Sequence, residues 1–455
     1  MTLTVALSGD SIVNRRISAC DDEGFLSLID EIRAADIGFT HLEMNLLDEA
    51  DDHAYPAAEA GGTWMSAQPR IAEEFAWAGF EMVSHASNHA LDYGYGGLAS
   101  TWAALENQDI DFTGTGRTLA DARGPVYREA SGGRVACVSM TTSFTPWSRA
   151  GRARRDHGGR PGVNPLGYHF EMGPDALDQY RSLAAAMGQW VTPTDDGYRF
   201  NPPGLHNTVF NVTASEQPGV RPVLDSTDRQ GNLRAVAEAD RQADITVAHV
   251  HTHEWDTDGD LSDPAPFLPA FTRDCIDAGA DVVLCQGSHT PLRGIDRYGG
   301  GIVLHDPGDF FMMSDTTRRL PAEFYDRYSD GFDGHSADAA PGQVLAERGI
   351  SSMFDEDADD SDADYGGAVE SPAQGYFSGD VLGTLVPVCE FDDEFDLARV
   401  TIHPGYLRAS PTVYTGTPTR ATGDRAQRII NHVDELSARF DTDIEYSNGV
   451  GTVDL

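Results

Sequence analysis

An α/β fold, a central sheet covered by helices, is what this sequence predicts. Short apolar runs of strand length alternate with longer segments whose apolar residues recur at helical spacing. Polar residues able to do chemistry follow directly on several of those runs, and the carboxyl ends of strands are where ligands gather in α/β proteins. The chain, at 455 residues, is long enough to bury a large core.

In chain order, Thr4–Leu7 reads as a strand closing on Gly9-Asp10, and Phe25–Ala34 as a helix. Phe39–Met44 reads as a second strand, Ile71–Trp77 as a helix, Met82–Ser84 as a buried strand and Leu98–Leu105 as a third helix. Phe112 starts a short strand and Val135–Met140 forms a long one. From about 145 to 230 the rhythm weakens. Arginine and glycine dominate there at first (Arg149, Arg152, Arg154, Arg155, Arg160), with one helix near Asp175–Trp190, so this stretch reads as an insertion. The alternation then resumes: helix Asn232–Gln242, strand Asp244–Val250, helix Ala265–Ala278, strands Asp281–Cys285 and Gly301–His305. Residues 352–366 are an acidic run with little to bury, a solvated loop. Two β-rich runs follow (Val381–Phe391, Leu397–His403), then a helix over Arg425–Phe440 and a last short strand.

Charge excludes some partners. There are 73 Asp and Glu against 32 basic residues, a net charge of −41, and every one of those 32 is arginine. Disorder would explain such acidity only in an apolar-poor chain, and here 40% of residues are hydrophobic. Carboxylates coating a folded surface, kept soluble where salt screens their repulsion, fit better and imply a halophilic host. Nucleic acid is not expected as a partner, because phosphate backbones need a basic footprint. Without lysine there is neither a Schiff base nor a P-loop lysine, and no G-x-S-x-G elbow is present for a serine hydrolase. Cys20, Cys137, Cys275, Cys285 and Cys389 form no C-x-x-C pair and read as reduced, buried thiols. No apolar run approaches the ~18–20 residues of a membrane span, so no membrane partner and a cytoplasmic location are expected.

Five strand ends carry the informative side chains: Gly9-Asp10, His41-Leu42-Glu43, the run Ser84–His89, the run His249–Glu254, and Gln286–His289. Carboxylate, amide oxygen and imidazole without sulfur form the donor set of a divalent ion such as Mn²⁺, Fe²⁺ or Zn²⁺. His-x-His on one strand puts both rings on the same face. A lone His or a Gly-Asp turn is weak evidence alone; five such groups at successive strand ends point to a metal centre.

The runs GDSIVNRRIS, THLEMNLL, MVSHASNHALDYG, TGTGRTLADARGP, HTHE and QGSHTPLRGIDRYGGGIVLHDPGDF resemble the CapA family of capsule and poly-γ-glutamate synthesis proteins. The resemblance spans nearly the whole chain. It implies one domain over residues 1–455 with the calcineurin-like metallophosphoesterase fold, a central β-sandwich flanked by helices in α/β/β/α layers. It implies Asp10, Glu43, Asn88, His251 and His289 as metal ligands, Glu43 as the bridging carboxylate, and His89 as the catalytic partner of Asn88. In this chain His41 replaces the family's Asn before Glu43, Gln286 replaces the first His of the late segment, and Ile12 stands where a D-x-H histidine would be. His253 or Glu254 would then complete a second metal.

The activity implied is metal-dependent hydrolysis of a phosphoester or related small or polymeric anion, with a pair of divalent ions activating water. Asp92 would orient His89 or cap the following helix. Arg15 and Arg16 would clamp the anionic substrate. The competing expectation is a non-catalytic, metal-binding accessory protein of capsule polymer synthesis.

Overall fold

In the computed structural model, the structure describes residues 2–454 apart from 49–52, 58–62, 205–209, 260–261, 290–291, 314–319, 329–382 and 409–413. The acidic run 352–366 lies outside the described residues.

Two sheets face one another. The strands Leu3–Ile12, Ile37–Leu42, Met82–Ser84 and Asp111–Thr113 run parallel, and Gly383–Phe391, Leu397–Leu407, Val450–Asp454 and Glu445–Ser447 extend the sheet antiparallel from Leu3–Ile12. The second sheet runs Ile295–Tyr298, Gly301–Leu304, Val282–Gln286, Ile245–His251, Arg134–Thr141 and Val126–Glu129, its four inner strands parallel.

Side-chain alternation decides what each face meets. Leu3, Val5, Leu7, Ile37, Phe39 and Met82 of the first sheet share one core with Val135, Cys137, Ile245, Val247, Val282 and Leu284 of the second. The opposite face of the first sheet packs Ala6, Leu42 and Val83 against Phe25, Leu28 and Ile32 of the helix Glu23–Ala34 and Ile71 and Phe75 of the helix Ile71–Ala78. The opposite face of the second packs Ala248, Val250 and Val283 against Val236 and Ala239 of the helix Ser226–Asp240 and Phe271 and Cys275 of the helix Leu268–Asp277. These are the four α/β/β/α layers expected. The helix Gly423–Ser437 buries Ile429, Ile430 and Val433 in the shared core, closing the sandwich beside Ile295–Tyr298 and the C-terminal strands. All five cysteines are free and buried.

One stretch differs from expectation. The insertion holds a sheet of its own, with strands Tyr168–Met172, Trp190–Pro193, Gly197–Asn201, Phe210–Ala214 and Val220–Leu224, besides the helix Pro174–Ala186. These strands pack a small core of Met172, Leu177, Ala184, Phe200 and Val212, and most of their other positions are at least partly exposed. That leaves little apolar alternation to read in the sequence.

Candidate metal centre

The centre is built where the carboxyl ends of strands from both sheets turn toward the shared core. On Ile245–His251 the residues Ile245 and Val247 face that core, so His249 and His251, two and four residues beyond Val247, face it too. Phe39 places His41 inward in the same way, and Leu284 does so for Gln286. Asp10 needs an irregularity. Leu7 points inward, and strict alternation would send Asp10 outward. The register slips between Leu7 and Asp10, where three steps on this strand meet two on its neighbour, and Asp10 comes opposite His41. Gly9 permits this: a Cβ there would lie 1.6 Å from the carbonyl oxygen of Gly308.

Around His251 Nε2 the donors crowd closely. Asn88 Oδ1 lies 2.9 Å away, His253 Nε2 3.1 Å and Glu43 Oε1 3.4 Å. Glu43 Oε1 is 3.7 Å from His253 Nε2 and 3.6 Å from His289 Nε2. Two imidazole nitrogens facing each other have at most one proton between them, and contacts of 3.4–3.9 Å are too long for hydrogen bonds. Donors sharing one ion at about 2.0–2.2 Å, however, stand about 3.0–3.5 Å apart. A second group adjoins the first: Asp10 Oδ1 is 3.9 Å from His41 Nε2 and 3.9 Å from His251 Nδ1. Asp10 Oδ2 faces His289 Nδ1 at 3.8 Å, and that nitrogen bonds Asp309 Oδ1 at 3.0 Å. The triads Asp10–His41–His251, Glu43–His253–His289 and Asp10–His289–Asp309 can each hold an ion.

A cation fits these residues. Asp10 Oδ1, both Glu43 oxygens, both His41 nitrogens, His251 Nδ1 and both Gln286 amide atoms are buried without hydrogen-bond partners. Orphaned buried polar atoms are costly, and a divalent ion would satisfy them. Glu43, both His41 nitrogens and Gln286 sit in fully buried side chains.

Electrostatics agree. Burial pushes the Asp10 carboxyl well above its ordinary range, and the neighbouring charges of Glu43 and Asp309 push it further. Burial would raise Glu43 as well, but the imidazoles of His289, His251 and His253 hold it well below. Burial drives His41 down to about 3 and holds His249 and His251 well below 6.5, so these rings are neutral donors. For His289, burial is outweighed by the carboxylates of Glu43 and Asp309, which raise it.

His289 sits at φ 51°, a left-handed conformation uncommon outside glycine. Before it, Gly287 at φ 116° passes so close to His251 that a Cβ would lie 2.8 Å from its Cε1. Over the centre opens a cleft of about 380 Å³ lined by Asn88, His89, Ser143, Phe144, Thr145, His253 and His289. His89 Nδ1 bonds Asp92 Oδ2 at 2.6 Å, and the same oxygen accepts the Met65 N–H at 2.7 Å. Burial alone would lower His89, but the Asp92 charge and hydrogen bond prevail and raise it. Asp92 thus orients the imidazole, and the helix Gly94–Glu106 has no side-chain cap.

Two expectations need correction. Arg15 and Arg16 do not line the cleft: the Arg15 guanidinium donates to the Thr415 carbonyl, and Arg16 pairs with the buried Glu74 at 3.3 Å. Both are spent on partners that fix the turn after the first strand. Glu254 does not turn to the centre; it accepts from Thr142, from Thr252 at 2.8 Å and from Ser143 at 3.5 Å, leaving His253 as the added donor. Asp10, Glu43, Asn88, His251, His253 and His289 do come together. Sequence reading set His41 at an informative strand end without counting it among the ligands, and missed Asp309. The parity of Phe39 and His41 signals the first; only the fold brings the second to His289. Ile12 packs in the core on the helix side of its sheet.

Among the described residues no helix is long and apolar enough to cross a membrane. Over 99% of this chain and 93% of its own, an uncharacterised protein of Sinorhizobium fredii is 29% identical. The capsule biosynthesis protein CapA of Bacillus anthracis is 23% identical over 70% of this chain and 61% of its own length. A crystal structure of a phosphatase from Mycoplasma pneumoniae overlaps 89% of this chain and 93% of its own at 9% identity and a TM-score of 0.36. The bacterial capsule synthesis protein family PGA_cap matches residues 4–314, and this chain belongs to that family.

Proposed function

We propose that this chain is a metal-dependent hydrolase acting on a phosphoester or related anionic substrate. What supports the reading most is the convergence of Glu43, Asn88, His251, His253 and His289 beneath the cleft, with Asp10 and His41 beside them. Those five donors would hold one divalent ion, and Asp10 with His41 a second; the oxygen and nitrogen donors suit Mn, Fe or Zn. Such ions supply Lewis-acid polarisation of a phosphoryl oxygen and bring deprotonation of water within reach of neutral pH.

His89 lines the cleft, and with Nδ1 committed to Asp92 its Nε2 is the nitrogen left to give a proton to the leaving oxygen. Asp92 holds the tautomer and favours the protonated ring. Asp309 takes the Nδ1–H of His289 in the same way, and a neutral ring so oriented would offer its Nε2 lone pair to the ion beside Glu43. Gly287 and Phe144 shape the space around these groups and take no proton.

The surface charge supports a salt-adapted protein that excludes nucleic acid substrates. The experiment is hydrolysis of a bis-aryl phosphate in concentrated KCl together with metal content of the same sample. Turnover with one to two equivalents of Mn, Fe or Zn upholds the proposal. Bound metal with no turnover on phosphoesters would favour a binding role in capsule polymer synthesis instead.

A further inference from the structure

We propose that Asp306 is a positioning residue of the metal centre: it clamps the turn that presents His289 and so sets how tightly the centre grips a divalent ion. This rests on the metal-dependent reading of the centre and adds to it a residue outside the donor set.

His289 has little local structure to hold it. The strand Val282–Gln286 has already ended, so the ladder of main-chain bonds does not reach it. Gly287 at φ 116° and His289 at φ 51° both have positive φ, with only Ser288 between them. A left-handed residue other than glycine persists where its surroundings over-determine it. The restraint here acts on Ser288. Its N–H donates to Asp306 Oδ2 at 3.2 Å, and its hydroxyl donates to the same oxygen at 2.7 Å. The other carboxylate oxygen of Asp306 accepts the Gly308 N–H at 2.9 Å. Asp306 and Ser288 are both buried, so water competes little for these bonds.

The loop that carries Asp306 is itself anchored along its length. The His305 N–H bonds the Gly294 carbonyl at 3.1 Å, and the Asp306 carbonyl accepts the Arg293 N–H at 3.1 Å. The Pro307 carbonyl accepts the Leu385 N–H at 2.8 Å, and the Phe310 N–H bonds the Asp10 carbonyl at 2.8 Å. The same loop carries Asp309, which holds His289 Nδ1 at 3.0 Å. One anchored loop therefore seizes two consecutive residues. Asp306 fixes the main chain that leads into His289, Asp309 fixes its ring, and Nε2 is left 3.6 Å from Glu43 Oε1. Arg293 extends the bracing to the neighbouring donor, since its Nη2 donates at 3.3 Å to the carbonyl of Glu254, one residue past His253. With the turn released, the Asp309 bond alone would hold a ring on a backbone free to leave its left-handed conformation. Groups that orient a ligand in this way are typically worth about 10–100-fold in metal affinity.

The test is the Mn²⁺ dissociation constant of the full chain, measured by competition with a fluorescent chelator, for the unmodified protein, D306A, S288A and D296A. Asp296 is likewise a buried carboxylate, spent on Arg273 at 2.7 Å, so D296A controls for the loss of a buried acid as such. D306A should weaken Mn²⁺ binding at least about tenfold, S288A, which keeps the N–H bond, about threefold, and D296A less than about twofold, whatever each does to the melting temperature of the stripped protein. The visible spectrum of bound Co²⁺ should change in D306A and S288A and stay as it is in D296A. Equal weakening in D306A and D296A, an unchanged constant in D306A, or no Mn²⁺ binding by the unmodified chain would overturn the proposal. Should D306A not fold, S288A decides, and an unchanged constant there overturns it as well. Absence of ester hydrolysis by the metal-loaded chain would sink the hydrolase reading while leaving the comparison of Mn²⁺ constants standing.

Discussion

His89 and Asp92 are joined Nδ1 to Oδ2 at 2.6 Å inside a single turn, and both side chains are buried. Replacing Asp92 with Asn keeps the shape and removes the charge. Burial then governs His89, its pKa falls, and the protonated acid is lost at lower pH. The alkaline limb of the pH–rate profile should move to lower pH and the rate near neutrality should fall at least about tenfold, within the range of general acid contributions. A D92N profile that superimposes on the original would remove His89 from the chemistry.

Metal content separates the donors. Glu43→Gln and His251→Ala each take a donor from the most crowded group and should lose most of the bound ion, as read by elemental analysis. Gln286→His should raise it, since residue 286 pairs in register with His251 and its amide atoms have no partner. Full metal in both loss variants would mean that ions, if bound, sit elsewhere.

Chelation should destabilise the fold. Without an ion, Asp10 and Glu43 remain buried among unsatisfied donors. A ligand present at about a hundred times its dissociation constant stabilises by about 2.7 kcal/mol. A melting temperature that falls with EDTA and recovers with added Mn²⁺ or Zn²⁺ is the expected result; insensitivity to EDTA in a sample shown to be stripped would contradict it.

Asp281 carries a pH dependence far from the centre's donors. Burial pushes its pKa up to about 7 even though it accepts the Thr246 N–H at 2.7 Å, and Asp240 and Asp396 add to the rise. The folded value lies above the ordinary 3.8, so folding favours the protonated form. That stability is complete below about pH 4 and is lost as pH rises through about 7. Asp281→Asn keeps an acceptor and cannot ionise, so its melting temperature should gain on the unmodified protein between about pH 5 and pH 8. A constant difference across that window would refute the shift.

Salt should stabilise the whole molecule. Raising KCl from about 0.1 M to about 1 M shortens the screening length from about 10 Å to about 3 Å, which relieves repulsion within a surface of net charge −41. The midpoint of thermal unfolding should rise by several degrees. Sodium chloride should act like potassium chloride; a flat response would mean that repulsion among the carboxylates does not limit stability.

The sequence made the sandwich and most of the centre readable for a specific reason. Period-two alternation carries inward parity from Val247 to His251 and from Leu284 to Gln286, so residues at strand ends declare their face in advance. Asp10 was readable as a strand-end acid, but its direction was not, because it depends on a register slip opposite His41. Asp309 was hidden because twenty residues separate it from His289 and only the returning loop brings the two together. The insertion's strands were hidden because short segments such as Trp190–Pro193 leave most side chains in solvent. Arg15 and Arg16 misled because proximity in sequence to Asp10 says nothing about which carbonyl or carboxylate will claim a guanidinium.

The donors also divide by origin. Asp10, His41, Glu43 and Asn88 lie on or just after strands of the first sheet, while His251, His253, Gln286 and His289 lie on or just after strands of the second. An ion gripped by both sets would be a rivet through the sandwich, added to the shared apolar core and to bridges such as Ser84 to Ser139, Arg128 to Asp111 and Arg297 to the Asp454 carbonyl. Pulling it out would loosen the seam between the sheets before it disturbed either sheet. Amide exchange in the stripped protein should therefore quicken first at the strand ends facing the seam, with the helix-covered outer faces following later.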